Sequence, residues 1–338
     1  LNNPGYKCSS EELRERIWKI ARELNYMPNE AARNLKKGIT NTSQKVWYLD
    51  VLMTRTGNLE TDPFFSELLR VIESEIHRQG CILMHIFHQP LFSNDRKCRT
   101  ENIDKVIAQM EPDGEIRSDG LIIIGKCNDN VLKKLSAKYR SIVSVNRNST
   151  NYLVDEVICD GKRIAAMAVE YLIGLGHRKI GYVGDCHNES RYKGYQDTLF
   201  QYGIDMDISF VIEAEHTEAE GYAVMERLIQ RGDAPTAIYC ANDMIAIGML
   251  KCLNKYKNRY YVPSIISSDD IEEAQYTRPM LTTVCLPKEE MGKFALYLLI
   301  DRLSGGHKGI VRTELEGKLM IRESCTLVEN ANRMEYYI

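Results

Sequence analysis

The length, composition and charge of the chain indicate a globular protein of more than one unit and argue against a membrane protein. With 338 residues the chain is too long for one compact core, and its 44% hydrophobic and 27% charged residues are ordinary for a globular protein. It has no apolar run of about 18 residues, so no membrane span is predicted. Its first ten residues are polar, so no secretory signal is predicted either.

The net charge of −3 conceals an uneven distribution along the chain. Residues 1–40 contain eight basic and five acidic residues, whereas the remaining 298 contain 36 basic and 42 acidic residues. A basic head on an acidic body is typical of a module that contacts nucleic acid and is joined to a separate sensor.

Several kinds of chemistry lack the motifs that they require. The ten cysteines are scattered without a C-x-x-C pair, and we interpret them as buried apolar side chains of a protein in the reducing cytoplasm. His85 and His88 have no third ligand at a suitable spacing, so a structural role is favoured over a metal site. The nucleotide-binding and esterase motifs are also absent. We therefore expect no metal and no cofactor.

The N-terminal segment predicts two helices separated by Pro28. The first begins at Ser9, which can cap it together with Glu12. One helix cannot bury its own apolar stripe, so we expect partner helices upstream of Leu1. The second begins at Asn29 and spans about two turns, which is marginal in water without a partner. Its basic residues make DNA phosphates a plausible partner.

From residue 46 onward, short apolar runs alternate with amphipathic segments, as in parallel sheets with crossover helices. The predicted strands are Val46–Met53, Cys81–Phe87, Leu121–Ile124, Ile142–Val145, Val157–Cys159, Ile180–Val183, Ala237–Cys240 and Ile265–Ile266. The predicted helices are Phe64–Arg78, Ile103–Met110, Val131–Tyr139, Ile164–Leu175, Lys193–Tyr202, Ala219–Arg231 and Met244–Lys255. The series is long enough for two sheets that divide near Asp160. A small ligand is expected between them, at the carboxyl ends of the strands.

Ordered sequence blocks along nearly the whole chain resemble those of the LacI/GalR family of transcriptional regulators. They include N-Y-x-P-N-x-x-A-x-x-L at Asn25–Leu35 and the segments Arg191–Tyr195, Ala241–Gly248 and Pro279–Val284. The resemblance implies a type I periplasmic-binding-protein fold, an α/β architecture with two doubly wound parallel-sheet subdomains. A partial all-α headpiece and a hinge helix would precede them.

The resemblance also implies domain boundaries. Residues 1–27 would be the remnant of a helix-turn-helix headpiece, and 28–45 the hinge helix and linker. Residues 46–158 plus about 288–316 would form the first effector subdomain. Residues 159–287 plus about 317–328 would form the second, and 329–338 a tail. The chain would cross between the subdomains near Cys159, Pro287 and Gly317.

In the family the hinge helix folds in the minor groove of operator DNA, where a leucine matching Leu35 wedges between base pairs. By the same match Asn29, Ala32 and Arg33 lie along the sides that face the groove or the dimer partner, and Lys36 is expected near the phosphates. A homodimer would match a palindromic operator. DNA binding is expected to need the upstream helices.

The resemblance further implies an effector site for a small polar molecule, with a sugar expected. The residues that match the family's ligand contacts are Arg191, Asn242, Asp269 and Asn146. Arg, Asp and Asn can engage adjacent hydroxyl groups with two hydrogen bonds each. The alternative is that each of these side chains forms a cap or a surface ion pair.

Aromatic side chains are expected to complete this effector site. His216 lies where family members often place a stacking aromatic residue, and an exposed loop histidine is the alternative. Phe64 or Phe65 is expected to cover a sugar face, and one of the two is expected to lie in the core. Ser267 and Ser268 stand where the family commonly has glycine and an aromatic residue, which leaves the identity of the effector open.

The predicted function is a ligand-responsive regulator, most simply a repressor, in which effector binding changes the relative placement of the subdomains and thereby the hinge helices. It is predicted not to be an enzyme. The first alternative is a transport-type sugar-binding protein of the same fold. The second is an α/β enzyme that uses Asp243, Asp269 and Asp270, although nothing in the sequence pairs these carboxylates as acid and base.

Overall fold

Two sheets flanked by helices make up the part of the chain that the structure describes. The computed structural model describes residues 46–54, 62–93, 102–110, 117–146, 154–187, 189–256 and 261–329. The DNA contacts predicted at Asn29, Ala32, Arg33, Leu35 and Lys36 lie outside these residues, as do the ranges 1–27 and 28–45. The described residues from Trp47 onward belong to one compact unit.

The strands and helices alternate along most of the chain. The strands are β1 (Tyr48–Met53), β2 (Ile82–His88), β3 (Gly120–Ile124), β4 (Ser141–Asn146), β5 (Asp155–Ile158), β6 (Ile180–Gly184), β7 (Val211–Glu213), β8 (Ala237–Cys240), β9 (Ser264–Asp269), β10 (Thr282–Cys285), β11 (Arg312–Glu314) and β12 (Lys318–Met320). The helices are α1 (Pro63–Arg78), α2 (Ile103–Gln109), α3 (Asp129–Lys138), α4 (Gly161–Gly174), α5 (Ser190–Gln201), α6 (Glu218–Ile229), α7 (Asp243–Tyr256) and α8 (Lys288–Ser304). Short 3₁₀ turns lie at Pro90–Ser93, Ile208–Phe210 and Glu272–Gln275.

The first sheet has the strand order β11-β5-β4-β3-β1-β2 and the second the order β12-β10-β9-β8-β6-β7. All described pairings are parallel except that of β10 with β12, which is antiparallel. The described chain passes from one sheet to the other after β5, after β10 and after β11. Helix α8 follows the second of these passages. It therefore packs against β3, β4, β5 and α1 of the first sheet.

The central strands β1, β3 and β4 of the first sheet are buried on both faces, which explains their largely apolar sequences. Successive side chains point to opposite faces, so Val51 and Ile122 belong to the larger apolar cluster, which also includes second-sheet residues. Leu52 and Ile123 belong to a smaller cluster on the other face. Along the described residues, no helix is both long and apolar enough to cross a lipid bilayer.

Local sequence accounts for where the helices of the second sheet begin and how closely they pack. Asp160 caps α4 by accepting a hydrogen bond from the amide of Lys162 at 2.9 Å. Thr217 caps α6. A Cβ atom at Gly221 or Gly248 would overlap the backbone of the neighbouring helix, so glycine allows α6 and α7 to pack with their backbones in contact.

The α/β fold with two mostly parallel sheets is confirmed. All eight predicted strands and all seven predicted helices of the body coincide with observed elements. The sequence analysis did not predict β7, β10, β11, β12 or α8. These strands have only three or four residues, which is too short to show a period of two. Helix α8 carries apolar residues on several faces and so lacks a single apolar stripe.

Candidate effector site

Polar side chains gather at the carboxyl edge of the second sheet. Asp269 is the last residue of β9, and Asn242 lies two residues after β8. His216 follows β7 by three residues, and Arg191 lies in the first turn of α5, which follows β6. Because the carboxyl ends of parallel strands share one edge, these four positions are brought together although 78 positions separate the first from the last.

Arg191 is the centre of this group and is 1% exposed. Its Nε and Nη2 groups donate to the two carboxylate oxygens of Glu189 at 2.9 and 3.0 Å. Its Nη1 group donates to the backbone oxygen of Ala241 and lies 3.9 Å from Oδ1 of Asp269. Burial alone would lower the pKa of the guanidinium, but the charges of Glu189 and Asp269 raise it. The buried group is therefore a cation held between two carboxylates.

Asn242 follows Ala241, whose backbone oxygen contacts Arg191, and its side chain contacts the loop that carries His216. Its Oδ1 atom accepts the amide hydrogen of Ile245 at 3.1 Å, and its Nδ2 group donates to the backbone oxygen of His216 at 3.3 Å. Asn242 thus also acts at the start of α7 as a cap, which is one of the alternatives weighed from the sequence. It is 4% exposed.

A second buried acid lies beneath Asp269. Asp243 is fully buried and accepts hydrogen bonds from the hydroxyls of Ser267 and Thr283, both at 2.6 Å, and from the amide of Ile271 at 2.8 Å. Burial and the nearby charge of Asp269 raise the pKa of the Asp243 carboxyl to about 7, although these hydrogen bonds oppose the shift. Thr283 belongs to β10, so this strand is buried despite its polar sequence.

The backbone at the end of β9 adopts an unusual conformation. Asp269 and Asp270 have φ angles of +123° and +49°, in the region that residues other than glycine rarely occupy. The backbone oxygens of both residues accept hydrogen bonds from Nζ of Lys288, at 3.1 and 2.8 Å. Asp270 is also paired through its carboxylate with Arg322 at 2.6 Å. Such strain is commonly retained at ligand-binding sites.

Lys288 extends the group of contacts to the first sheet. Its Nζ atom lies 2.7 Å from Oε2 of Glu67 and 5.8 Å from the centre of the Phe64 ring, both on α1. Phe64 and Phe65 are both buried, and their rings meet edge to face at 5.1 Å. The structure therefore places both rings in the core, where Phe64 contacts the cation. Asn146 lies half-buried at the carboxyl end of β4, in the first sheet.

A hollow of about 520 Å³ lies beside His216, within the range of about 300–1,000 Å³ that is usual for small-molecule sites. Its lining consists of Asp185, Glu213, Ala214, Glu215, His216 and Glu220. Since most of these side chains are acidic, the hollow disfavours an anionic ligand. Among the described residues, no cluster of His, Cys, Asp and Glu side chains is arranged to hold a metal ion.

The sequence analysis missed two residues that organise this site. Glu189 stands two positions before Arg191, and a carboxylate at the start of a helix is a recognisable cap signal. Lys288 is the first residue of α8, where a cation is disfavoured by the helix dipole. A lysine at that position can therefore indicate a compensating partner elsewhere, but the sequence does not identify Glu67 as that partner.

Comparisons with known proteins agree with this fold. Residues 169–325 match the family described as periplasmic binding protein-like domain. The chain is 29% identical over 339 residues to the HTH-type transcriptional repressor MelR of Bacillus subtilis (strain 168), covering 96% of this chain and 92% of that protein.

Two solved structures share the fold. A LacI family transcriptional regulator from Enterococcus faecium with bound ribose has a TM-score of 0.67 and 23% identity, covering 83% of this chain and 99% of the other. The lac repressor dimer bound to operator and the anti-inducer ONPF has a TM-score of 0.68 and 20% identity, covering 89% and 100%. The resemblance to LacI/GalR regulators is thus confirmed, and the chain is a homologue of the HTH-type transcriptional repressor MelR along 96% of its length.

Proposed function

We propose that this protein is a ligand-responsive transcriptional repressor of the cytoplasm, not an enzyme, and that its effector binds at the carboxyl edge of the second sheet. The observation that carries the proposal is the continuous chain of contacts from His216 through Asn242 and Ala241 to Arg191 and Asp269. Buried donors and acceptors at the edge of a sheet can select among hydroxylated ligands. A ligand that leaves one of these buried groups without a hydrogen bond loses about 1–3 kcal/mol of binding free energy.

The charges around the site support an uncharged, polyhydroxylated effector such as a sugar. The Arg191 guanidinium is already paired with Glu189 and faces Asp269, and the Lys288 ammonium is paired with Glu67. A phosphate or carboxylate on the ligand would have to compete with these carboxylates and would meet the acidic hollow beside His216. Hydroxyl groups can instead form hydrogen bonds with Arg191 and Asp269 without adding charge.

The proposal extends to the rest of the molecule. We place the effector subdomains at residues 46–158 plus about 288–316 and at residues 159–287 plus about 317–328. Asn146 would complete the effector site from the first of these. Residues 1–45 would contact operator DNA through Asn29, Ala32, Arg33, Leu35 and Lys36 in a homodimer. Two similar proteins support this part, because MelR is an HTH-type transcriptional repressor and the lac repressor structure is a dimer bound to operator.

Effector binding can be tested by thermal unfolding with a panel of neutral mono- and disaccharides, with ribose and cellobiose among them, and with sugar phosphates. We expect one neutral sugar to raise the unfolding temperature in a saturable manner, without being converted to a product. Stabilisation by the phosphates alone would contradict the charge argument, and product formation would contradict a sensor.

The site assignment can be tested with Asp269→Asn in calorimetric titrations of the same sugar. Replacing a charged acceptor should weaken binding by about 10- to 100-fold, the equivalent of roughly 1.5–3 kcal/mol. Asp233→Asn is a matched control, because Asp233 is 65% exposed and pairs with Lys179 on the surface. Equal affinities of the two variants would contradict the assignment.

DNA binding requires a separate measurement with the protein expressed from its complete gene. We expect salt-sensitive binding to a palindromic DNA, with an affinity that changes when the sugar is added. Leu35→Gly should weaken this binding strongly and leave sugar binding unchanged. A protein that binds the sugar but selects no DNA would instead be the solute-binding alternative.

A further inference from the structure

One lysine joins the candidate effector site to the first sheet. Lys288 begins α8 immediately after the chain leaves β10 for the first sheet, and its side chain is 12% exposed. A cation at the N-terminus of a helix opposes the helix dipole, and a largely buried ammonium needs several acceptors. Glu67 and the backbone oxygens of Asp269 and Asp270 provide them.

These acceptors belong to different parts of the fold. Glu67 lies on α1, which packs against β2 and α8 of the first sheet. Asp269 is the last residue of β9, in the middle of the second sheet, and Asp270 follows it. The ammonium group of Lys288 is therefore a direct polar connection from the first sheet to the edge where Arg191 lies.

The connection acts on the part of the site that is conformationally strained. Both carbonyl groups that accept hydrogen bonds from Lys288 belong to the residues with positive φ angles. The same backbone conformation holds the Asp269 carboxylate 3.9 Å from Arg191. If Lys288 moved, the two carbonyls would lose a charged donor, and the strained conformation would lose part of its stabilisation.

We infer that Lys288 is a positioning residue that couples effector binding to the first sheet, because it holds the Asp269–Asp270 backbone in place while Glu67 holds Lys288. The inference rests on the proposed effector site and adds the route from that site to the other half of the fold. A sugar that engages Asp269 would favour the arrangement in which Lys288 bridges Asp269 and Glu67. It would thereby act on α1 without touching it.

The connection can be tested without any effector by hydrogen–deuterium exchange of Lys288→Met, Glu67→Gln and wild-type protein. In both variants we expect exchange in 264–275 to become about five- to tenfold faster, since local opening there is easier. Glu67 contacts this segment through Lys288, so the effect of Glu67→Gln there is the decisive readout. Lys288→Arg should retain slow exchange because it keeps a cation. If Glu67→Gln alters exchange within α1 alone, the coupling is wrong.

A second experiment measures the affinity of these variants for the neutral sugar identified by thermal unfolding. Lys288→Met should weaken its binding by at least about tenfold, and the double variant with Glu67→Gln should bind no more weakly than Lys288→Met alone. Lys293→Met is the matched control, because Lys293 lies on the same helix and pairs with Glu289 within it. Unchanged affinity in Lys288→Met would overturn the positioning role. If no sugar binds the wild type, the proposed function fails, and the exchange measurement still decides whether the connection exists.

Discussion

Asp155 in the first sheet and Asp243 at the edge of the second are both fully buried, yet their pKa values shift in opposite directions. Burial raises the pKa of a carboxyl group in both places, because it disfavours the charged form. At Asp155 this effect is exceeded by hydrogen bonds from Arg302, His307 and the amide of Val311, so the pKa is lowered. At Asp243 the partners are two hydroxyls and one amide, Asp269 adds a negative charge, and the pKa rises to about 7.

The difference shows that two buried acids can have different roles. Asp155 joins the start of β5 to the end of α8 through Arg302, with both N–O distances at 2.5 Å, and it receives the amide hydrogen of Val311 at 2.8 Å. Asp155 is therefore a structural anchor, because its buried negative charge is paired with the Arg302 guanidinium. Asp243 lies beside the candidate effector site and accepts hydrogen bonds from two hydroxyls and one amide. A carboxyl pKa that burial and a neighbouring carboxylate raise is typical of a functional region.

The largest effect is expected for Asp155→Asn. This variant leaves the Arg302 guanidinium without its carboxylate, and breaking such a pair from one side should lower the free energy of unfolding by about 3 kcal/mol. Urea unfolding at pH 7 measures the change. Asp233→Asn, which breaks an exposed pair with Lys179, should change it by less than about 1 kcal/mol. Equal losses would mean that the network is not an anchor.

A smaller loss is expected for Asp243→Ala at pH 5. The carboxyl group is then largely protonated, so the substitution mainly removes acceptors from Ser267, Thr283 and Ile271. Donors that lose their partners in the interior should cost about 2 kcal/mol in the free energy of unfolding. Urea unfolding, compared with an alanine variant of Asp233, which is 65% exposed, provides the measurement. A loss no greater than that of Asp233→Ala would contradict the hydrogen bonds described.

The sign of the Asp243 shift predicts a pH dependence. Its pKa in the folded state, about 7, lies above the ordinary 3.8, so the folded protein binds more protons between these values, and stability falls as pH rises through this window. Asp243→Asn should flatten this fall by about 1–2 kcal/mol between pH 5 and pH 7. Unfolding free energies of both proteins across that range are compared. Parallel profiles would show that Asp243 does not titrate there.

The smallest effect is expected for His307→Gln in the Asp155 network. The His307 imidazole lies 2.5 Å from Asp301 and 2.9 Å from Asp155, and hydrogen bonds to these two carboxylates raise its pKa above 6.5. Its contribution is present below pH 6.5 and is lost as pH rises through the raised pKa. The variant should be less stable than wild type by under about 1 kcal/mol at pH 6 and about equal at pH 9. His77→Gln, on exposed His77, serves as the control, and a difference that persists at pH 9 would contradict the protonation argument.

Acid unfolding separates the two aspartates further. Since the pKa of Asp155 is lowered from 3.8, its contribution to stability is present above that value and is lost as pH falls below it. The contribution of Asp243 behaves in the opposite sense. The network around Asp155 should therefore limit stability in acid, and Asp243 should limit it toward neutral pH.

The sequence by itself determined the local elements and the resemblance to the LacI/GalR family. Apolar runs of strand length and amphipathic segments follow directly from side-chain periodicity, so β1–β6, β8, β9 and α1–α7 were predictable. The ordered family blocks carried enough local information to indicate two α/β sheets that divide near Asp160 and to predict Arg191, Asn242 and Asp269 as effector contacts.

Only the tertiary structure decided which polar and charged side chains pair with each other. The pairing of Arg191 with Glu189 is local, but Asp155 meets His307 across 152 positions, and Lys288 meets Glu67 across 221 positions. A pKa shift or a coupling depends on distances between residues that chain folding brings together, and periodicity carries no information about those distances. The polar strand β10 could not be predicted for the same reason. Its threonines are buried because they form hydrogen bonds with Asp243 and Arg322, which lie far away in the sequence.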